Sequence, residues 1–87
     1  MSKSLMDDWI VYIARTESGH LYTGISNDVP ARIIKHNSGK GAKFARMHGA
    51  LALVYQSEAM SRSDALKREA EIKSWDKTKK EELVRGA

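Results

Sequence analysis

Residues 9–14 read Trp-Ile-Val-Tyr-Ile-Ala, a run of β-branched and aromatic residues with apolar side chains at both odd and even positions. This pattern is typical of a strand that is covered on both faces, so we expect a central strand here. Residues 17–19, Glu-Ser-Gly, supply a turn, and strand composition resumes over residues 21–25, Leu-Tyr-Thr-Gly-Ile. The two segments therefore predict an antiparallel hairpin.

The predicted hairpin brings two tyrosines, Tyr12 and Tyr22, close together. Whether their rings share a face depends on the register, because successive side chains of a strand point to opposite faces. Any pairing whose residue numbers sum to an even value, such as Tyr12 opposite Tyr22, places both rings on one face. The sequence alone leaves this register open.

A first helix is predicted from an N-cap at Asn27 to about Asn37. Pro30 is compatible with the first helical turn, where backbone amides lack intrahelical partners. At about 3.6 residues per turn, Arg32 and His36 lie together along one edge of the buried stripe. We expect both side chains to point to the boundary between the sheet and solvent.

The segment that follows, residues 38–46, is glycine-rich and basic, and we expect it to end in a short helix. A Walker-type loop does not fit, because that motif needs a preceding strand and a hydroxyl residue after its lysine, whereas Gly41 follows Lys40. The segment is suited to binding phosphates. The candidate nucleic-acid contacts are Lys35, Lys40, Lys43 and Arg46.

The second half of the chain predicts one strand and two helices. Residues 50–55 have strand composition, and Ser61 begins a long helix with Asp64 completing a capping-box-like pair. A short final helix is predicted at about residues 78–85.

Glu69 stands out in the long helix, because the spacing places it beside the apolar residues Ala65, Leu66 and Ile72 on the face towards the core. An ionised carboxylate there would be costly without a partner. The partner is either a bound cation or a basic side chain, such as Arg32 or a lysine.

Length and composition limit the class of protein. A chain of 87 residues is expected to be one domain, 1–87 with its core over about 9–75, and chains this small bury only about 60% of their unfolded surface. The excess of 15 Lys and Arg over 11 Asp and Glu suits a polyanionic partner, and the lack of cysteine excludes disulfides and zinc-thiolate sites. We find no signal peptide and no apolar run near the ~18 residues of a membrane span, so we expect a cytoplasmic protein with no membrane partner.

Several short motifs, in a fixed order, carry a resemblance to a known family. They are Ile10-Val11-Tyr12, Tyr22-Thr23-Gly24, Arg32 with His36, residues 37–43 and Leu66-Lys67-Arg68-Glu69. Through them the chain resembles the GIY-YIG nuclease superfamily, and most closely its short, single-domain bacterial YhbQ-like branch. Each tripeptide alone is a weak signal, whereas the ordered set is specific and spans about residues 9–75.

The resemblance implies an α+β fold in which a small three-stranded antiparallel sheet is flanked by helices, in the order β-β-α-α-β-α-α. It also implies metal-dependent hydrolysis of DNA, with Glu69 holding a single Mg²⁺ or Mn²⁺ ion. Arg32 would neutralise charge on the phosphate in the transition state. Either Tyr12 or Tyr22 would activate the attacking water while the other orients it, and His36 would orient that tyrosine or relay its proton.

The chain departs from the family pattern at three points: Ile10 replaces a glycine, Thr23 replaces an isoleucine, and no asparagine follows Glu69. With no room for a separate DNA-binding domain, we expect weak, salt-sensitive DNA binding or targeting by a protein partner. A role in DNA repair or recombination is implied by the resemblance alone.

Two other functions stay open. One is a non-catalytic nucleic-acid-binding module with a degenerate nuclease site, and the other is a protein-interaction domain. Taken singly, the site residues have ordinary explanations as β-formers, surface charges or salt-bridge partners. Their joint occurrence is what favours a nuclease.

Overall fold

The computed structural model describes residues 7–38 and 49–86, in which three strands and three helices follow one another in the order β-β-α-β-α-α. They are β1 (Ile10–Thr16), β2 (Leu21–Ser26), α1 (Val29–Asn37), β3 (Leu51–Gln56), α2 (Arg62–Lys73) and α3 (Lys77–Val84). This α+β arrangement confirms the predicted fold class. The short helix predicted within residues 38–46 lies outside the described residues.

The first strand is the middle strand of the sheet. The strand order is β2-β1-β3 and both pairings are antiparallel. The four residues from Val11 to Ala14 are all at most 2% exposed, as expected of a strand with packed side chains on both faces. The prediction of a central strand is therefore confirmed.

The hairpin register places both tyrosines on one face of the sheet. Tyr12 pairs with Gly24 and Ala14 pairs with Tyr22, so the two tyrosines are diagonal neighbours. Tyr12 and Ala14 pack in one cluster with Val29 of α1. On the opposite face, the odd-numbered residues of β1 pack against α2 and α3 in a second cluster.

Helix α1 begins one residue later than predicted, because its N-cap is Asp28 and not Asn27. The Asp28 carboxylate accepts a hydrogen bond from the Ala31 amide at 3.2 Å. The Asp28 amide in turn donates to the Ser26 hydroxyl at 2.9 Å. Asn and Asp are about equally good N-caps, so composition alone could not choose between the two neighbours.

The end of α1 is joined to β3 by the side chain of Asn37. Its Oδ1 accepts from the Leu51 amide at 2.7 Å, and its Nδ2 donates to the Leu51 carbonyl at 3.0 Å. One amide side chain therefore binds both backbone polar groups of Leu51, as a neighbouring strand would. This contact fixes the helix that carries Arg32 and His36 relative to the sheet.

The two C-terminal helices have polar caps at their first turns. Ser61 caps α2 and accepts from the Asp64 amide at 3.1 Å, as predicted. Asp76 caps α3, which begins at Lys77. Arg15 of β1 donates two hydrogen bonds of 2.6 Å to the Glu81 carboxylate, which anchors α3 to the sheet.

Within residues 7–38 and 49–86, no helix has the length and apolar character needed to cross a bilayer.

Replacing Asn37 by Ala should lower the free energy of unfolding by about 1–3 kcal/mol, because both polar groups of Leu51 lose their partner. Urea unfolding followed by circular dichroism measures this change. Asn27→Ala, at an exposed asparagine of the β2–α1 turn, is the matched control and should stay within about 0.5 kcal/mol of the wild type. Equal losses in both variants would contradict the role assigned to Asn37.

Candidate active site

Two phenols form the centre of the candidate site. The ring centroids of Tyr12 and Tyr22 are 6.1 Å apart and the rings are tilted by 36°. Tyr12 is 2% exposed, whereas Tyr22 is half-buried. The pair therefore presents one hydroxyl from inside the domain and one nearer to solvent.

The Tyr12 ring lies across the backbone of Gly24 on the neighbouring strand. A Cβ atom added to Gly24 would lie 2.8 Å from the Tyr12 hydroxyl oxygen and 2.9 Å from Cζ. Such distances are well below ordinary van der Waals contact. Glycine is thus required because the strand opposite must leave room for a large ring.

His36 of α1 lies next to Tyr22, so Tyr12, Tyr22 and His36 form a row of three rings. Its ring centroid is 5.9 Å from that of Tyr22, with a tilt of 54°, and its Nε2 atom is buried. Burial lowers the pKa of His36 below the ordinary value of 6.5. The imidazole is therefore neutral at neutral pH, and a neutral imidazole has one nitrogen able to accept a proton.

Charged groups from two helices act on the Tyr12 hydroxyl. The pKa of Tyr12 is raised to about 12; burial is the largest cause, and the neighbouring Tyr22 contributes to the rise by electrostatic repulsion and a hydrogen bond. The positive charge of Arg32 opposes this rise, and the negative charge of Glu69 adds to it. Side chains from β1, β2, α1 and α2 therefore all influence the ionisation of one phenol.

Glu69 lies beside the sheet because α2 packs mainly against the edge strand β2. Ala65 and Ile72 on this helix are fully buried, and the Glu69 side chain is 20% exposed. Leu66 is 40% exposed, so its predicted place on the core face was wrong. A helix at the edge of a sheet buries only a narrow stripe, and Leu66 lies about 100° around the axis from Ala65.

The Glu69 carboxylate already binds a cationic group. The Lys73 ammonium, one turn further along α2, is 3.3 Å from Glu69 Oε2. The partner is thus a lysine of the same helix, one of the alternatives that the sequence left open. A Glu followed by Lys four residues later is a favourable helical pair.

This carboxylate also suits a weakly held divalent ion. Among the described residues, no group of three or more His, Cys, Asp or Glu side chains is placed to hold a metal. Mg²⁺ and Mn²⁺ prefer oxygen ligands, and Mg²⁺ in particular keeps several waters and is often bound by one or two carboxylates together with a substrate phosphate. Glu69 would supply one carboxylate of this kind, and its ion pair with Lys73 shows that it accepts a cation in this place.

A shallow cavity of about 260 Å³ lies next to Arg32 at the start of α1. Arg32 and Lys35 are both exposed, so their cationic groups are accessible to an anionic ligand. The other predicted nucleic-acid contacts, Lys40, Lys43 and Arg46, lie outside the described residues. The lining residues are Ser26, Asn27, Asp28, Ala31, Arg32 and Lys35.

The sequence left one feature of the site open, and another was missed. The Glu69–Lys73 pair could have been found from its spacing of four residues on a helix. The close approach of Tyr12 to Gly24 could not, because it depends on the strand register.

Comparison with known proteins agrees with this fold. Residues 8–82 match the GIY-YIG catalytic domain family. The chain is 52% identical over 84 residues to a UPF0213 protein of Yersinia enterocolitica, covering 97% of this chain and 84% of that protein. It is 47% identical over 79 residues to a UPF0213 protein of Staphylococcus epidermidis, covering 91% and 96%.

A solved structure is also similar. The solution NMR structure of a UPF0213 protein from Bacillus halodurans has 44% sequence identity and a TM-score of 0.56, covering 88% of this chain and 82% of that one. The chain therefore belongs to the GIY-YIG family, and its relatives include short bacterial UPF0213 proteins. The resemblance read from the ordered motifs is confirmed.

Gly24→Ala should destabilise the protein by about 1–3 kcal/mol, because the added methyl group displaces the Tyr12 ring. Thermal or urea unfolding measures the effect. In a Tyr12→Leu background the same change should cost much less, since leucine lacks the hydroxyl oxygen and the two ring carbons that crowd the Gly24 position. Additive losses in the double variant would exclude this contact.

Tyr12 should keep its proton well beyond the ordinary range of a phenol. The absorbance difference at 295 nm between the wild type and Tyr12→Phe should show an ionisation near pH 12. Because the folded-state pKa is raised, the associated stability is present below about pH 10 and is lost as the pH rises towards 12. A difference titration with its midpoint near 10 would contradict this assignment.

Proposed function

We propose that this protein is a metal-dependent endonuclease that hydrolyses phosphodiester bonds of DNA. The observation that carries the proposal is the set of interactions at the Tyr12 hydroxyl, where Tyr22, Arg32 and Glu69 all act. These residues provide a second phenol, a cation for a phosphate and an anion for a metal. Packing alone does not require this combination at one point.

The exposed cations provide the surface for the substrate. Arg32 and Lys35 line one side of the shallow cavity at the start of α1, and Arg32 also acts on Tyr12. A phosphate bound by Arg32 would therefore lie between the cavity and the phenols. With a net charge of only +4, we expect weak binding that depends steeply on salt, or targeting by a protein partner.

The two tyrosines have different roles in this proposal. Tyr12 is buried and holds its proton, so it acts as a hydrogen-bond donor that orients its neighbour. Tyr22 is half-buried and lies next to His36, so it is the phenol that a water molecule on the substrate side can reach. His36 is neutral and is placed to accept or relay the proton that leaves Tyr22.

Glu69 would hold Mg²⁺ or Mn²⁺. When bound, the ion would polarise the phosphate and favour departure of the leaving oxygen. Arg32 would stabilise the charge that grows on the non-bridging oxygens in the transition state. A cytoplasmic site of action, in DNA repair or recombination, is part of the proposal.

One observation favours a second candidate, a non-catalytic nucleic-acid-binding module. Glu69 is already paired with Lys73, and a carboxylate that is permanently neutralised would not hold a metal. In that case the exposed cations would bind phosphates without any cleavage.

A cleavage assay separates the two candidates. Wild-type protein should cut DNA with Mg²⁺ or Mn²⁺ and lose activity in chelator, tested on branched, flapped, single-stranded and duplex substrates. Glu69→Gln should reduce cleavage by at least about 100-fold, and Arg32→Ala should reduce it by about 10²–10³-fold. The matched control is Glu71→Gln, because Glu71 is an exposed acid of the same helix that pairs with Arg68 at 2.6 Å.

DNA binding is measured in parallel by fluorescence anisotropy. Glu69→Gln should leave binding in chelator largely intact, and Glu71→Gln should retain full cleavage. If the wild type binds every substrate and cuts none of them with either metal, the protein is a binding module and the nuclease proposal fails.

A further inference from the structure

The proposed reaction gives no role to Lys73. Its ammonium lies 3.3 Å from Oε2 of Glu69, on the carboxylate proposed to hold the metal. The Lys73 side chain is 57% exposed, whereas that of Glu69 is 20% exposed. The ion pair therefore joins a largely buried carboxylate to an exposed ammonium.

A lysine and a divalent ion compete for the same carboxylate. Both are cations, and at a few ångströms they repel each other strongly in a partly buried site. The lysine stem is flexible and its ammonium is a compact charge, so it can leave Glu69 without disturbing the helix. A bound DNA strand brings phosphates to the same patch and offers the ammonium a new anionic partner.

Another basic residue of α2, Arg68, already has two partners. Arg68 donates to Glu71 at 2.6 Å and lies over the ring of Trp75 at 5.0 Å from its centroid. Among the bonds and ion pairs of the described residues, Lys73 makes a single contact, to Glu69 at 3.3 Å, so no second group holds its ammonium in place.

We propose that Lys73 is a positioning residue that exchanges Glu69 for a phosphate of the bound strand, so that the divalent ion and DNA bind cooperatively. In the free protein Lys73 neutralises Glu69 and weakens metal binding. When DNA is present, the ammonium moves to the phosphate and the carboxylate is released. This inference rests on the proposed metal site at Glu69.

Cooperativity of this kind is reciprocal. If DNA strengthens metal binding by a given factor, the metal strengthens DNA binding by the same factor. A lysine that served only to stabilise the helix would produce no such coupling.

The test measures Mn²⁺ binding by the electron paramagnetic resonance signal of the free ion, with and without a short duplex that is checked on a gel for integrity. Lys73→Gln should bind Mn²⁺ about tenfold more tightly than the wild type in the absence of DNA, and the factor by which DNA strengthens Mn²⁺ binding should be about tenfold larger in the wild type than in Lys73→Gln. Lys73→Arg keeps the charge and should resemble the wild type. Lys67→Gln, at an exposed lysine of the same helix, is the matched control and should also resemble it.

A second readout uses the salt dependence of DNA binding with Mn²⁺ present. Lys73→Gln should reduce the slope of log affinity against log salt by about 0.9, as expected for the loss of one phosphate contact. Lys73→Arg should restore the slope.

The outcomes separate this inference from the proposed function. If Mn²⁺ binding is abolished by Glu69→Gln but is the same in Lys73→Gln and the wild type, with and without DNA, the exchange is overturned and the metal site stands. If Glu69→Gln binds Mn²⁺ as the wild type does, the metal site and the exchange both fail. Weaker Mn²⁺ binding in Lys73→Gln would also overturn the exchange, because Lys73 would then support the site instead of competing with the ion.

Discussion

Strand β1 is buried on both faces, and this constraint determines where every other part of the protein lies. Its odd-numbered side chains, including Val11 and Ile13, pack with α2 and α3. Its even-numbered side chains, including Tyr12 and Ala14, pack beneath α1. The alternation of a strand thus separates two hydrophobic clusters across the thickness of one sheet, and only the cluster beneath α1 contains Tyr12 and Tyr22.

The electrostatics at Tyr12 show which effect is strongest in this cluster. Arg32 favours the ionised phenol, but burial, Tyr22 and Glu69 all favour the neutral form, and the net result is a pKa of about 12. Desolvation therefore outweighs the nearby guanidinium. A phenol with so high a pKa is a poor base at neutral pH and a reliable hydrogen-bond donor. The high pKa of Tyr12, and not the sequence motif, distinguishes the roles proposed for the two tyrosines.

The elements of the fold could be predicted from local signals, because each strand and helix carries its own pattern. The strands, the caps at Ser61 and the turn at Gly19 follow from composition and spacing, and Gly19 has the positive φ of 91° that favours glycine. The N-cap at Asp28 and the exposure of Leu66 could not be predicted. The first depends on a choice between two equally good caps, and the second depends on how α2 lies against the sheet edge.

The site was predictable to the extent that family motifs fix the order of its residues. The hairpin register was not, and it is the register that places Tyr12 over Gly24 and Tyr22 opposite Ala14. The partner of Glu69 was left open because Arg32 and a lysine could both reach such a position. The structure selects Lys73, since a residue four positions along the same helix needs no tertiary placement to make the pair.

A largely buried carboxylate such as that of Glu69 is costly without a cationic partner. Leaving the Glu69 carboxylate unpaired beside the fully buried Ala65 and Ile72 would carry a desolvation cost. A lysine from the same helix offsets that cost without a second carboxylate or histidine to complete a permanent metal cage. The ion pair keeps the carboxylate stable before any ligand binds, and the proposed metal would have to displace Lys73 from it.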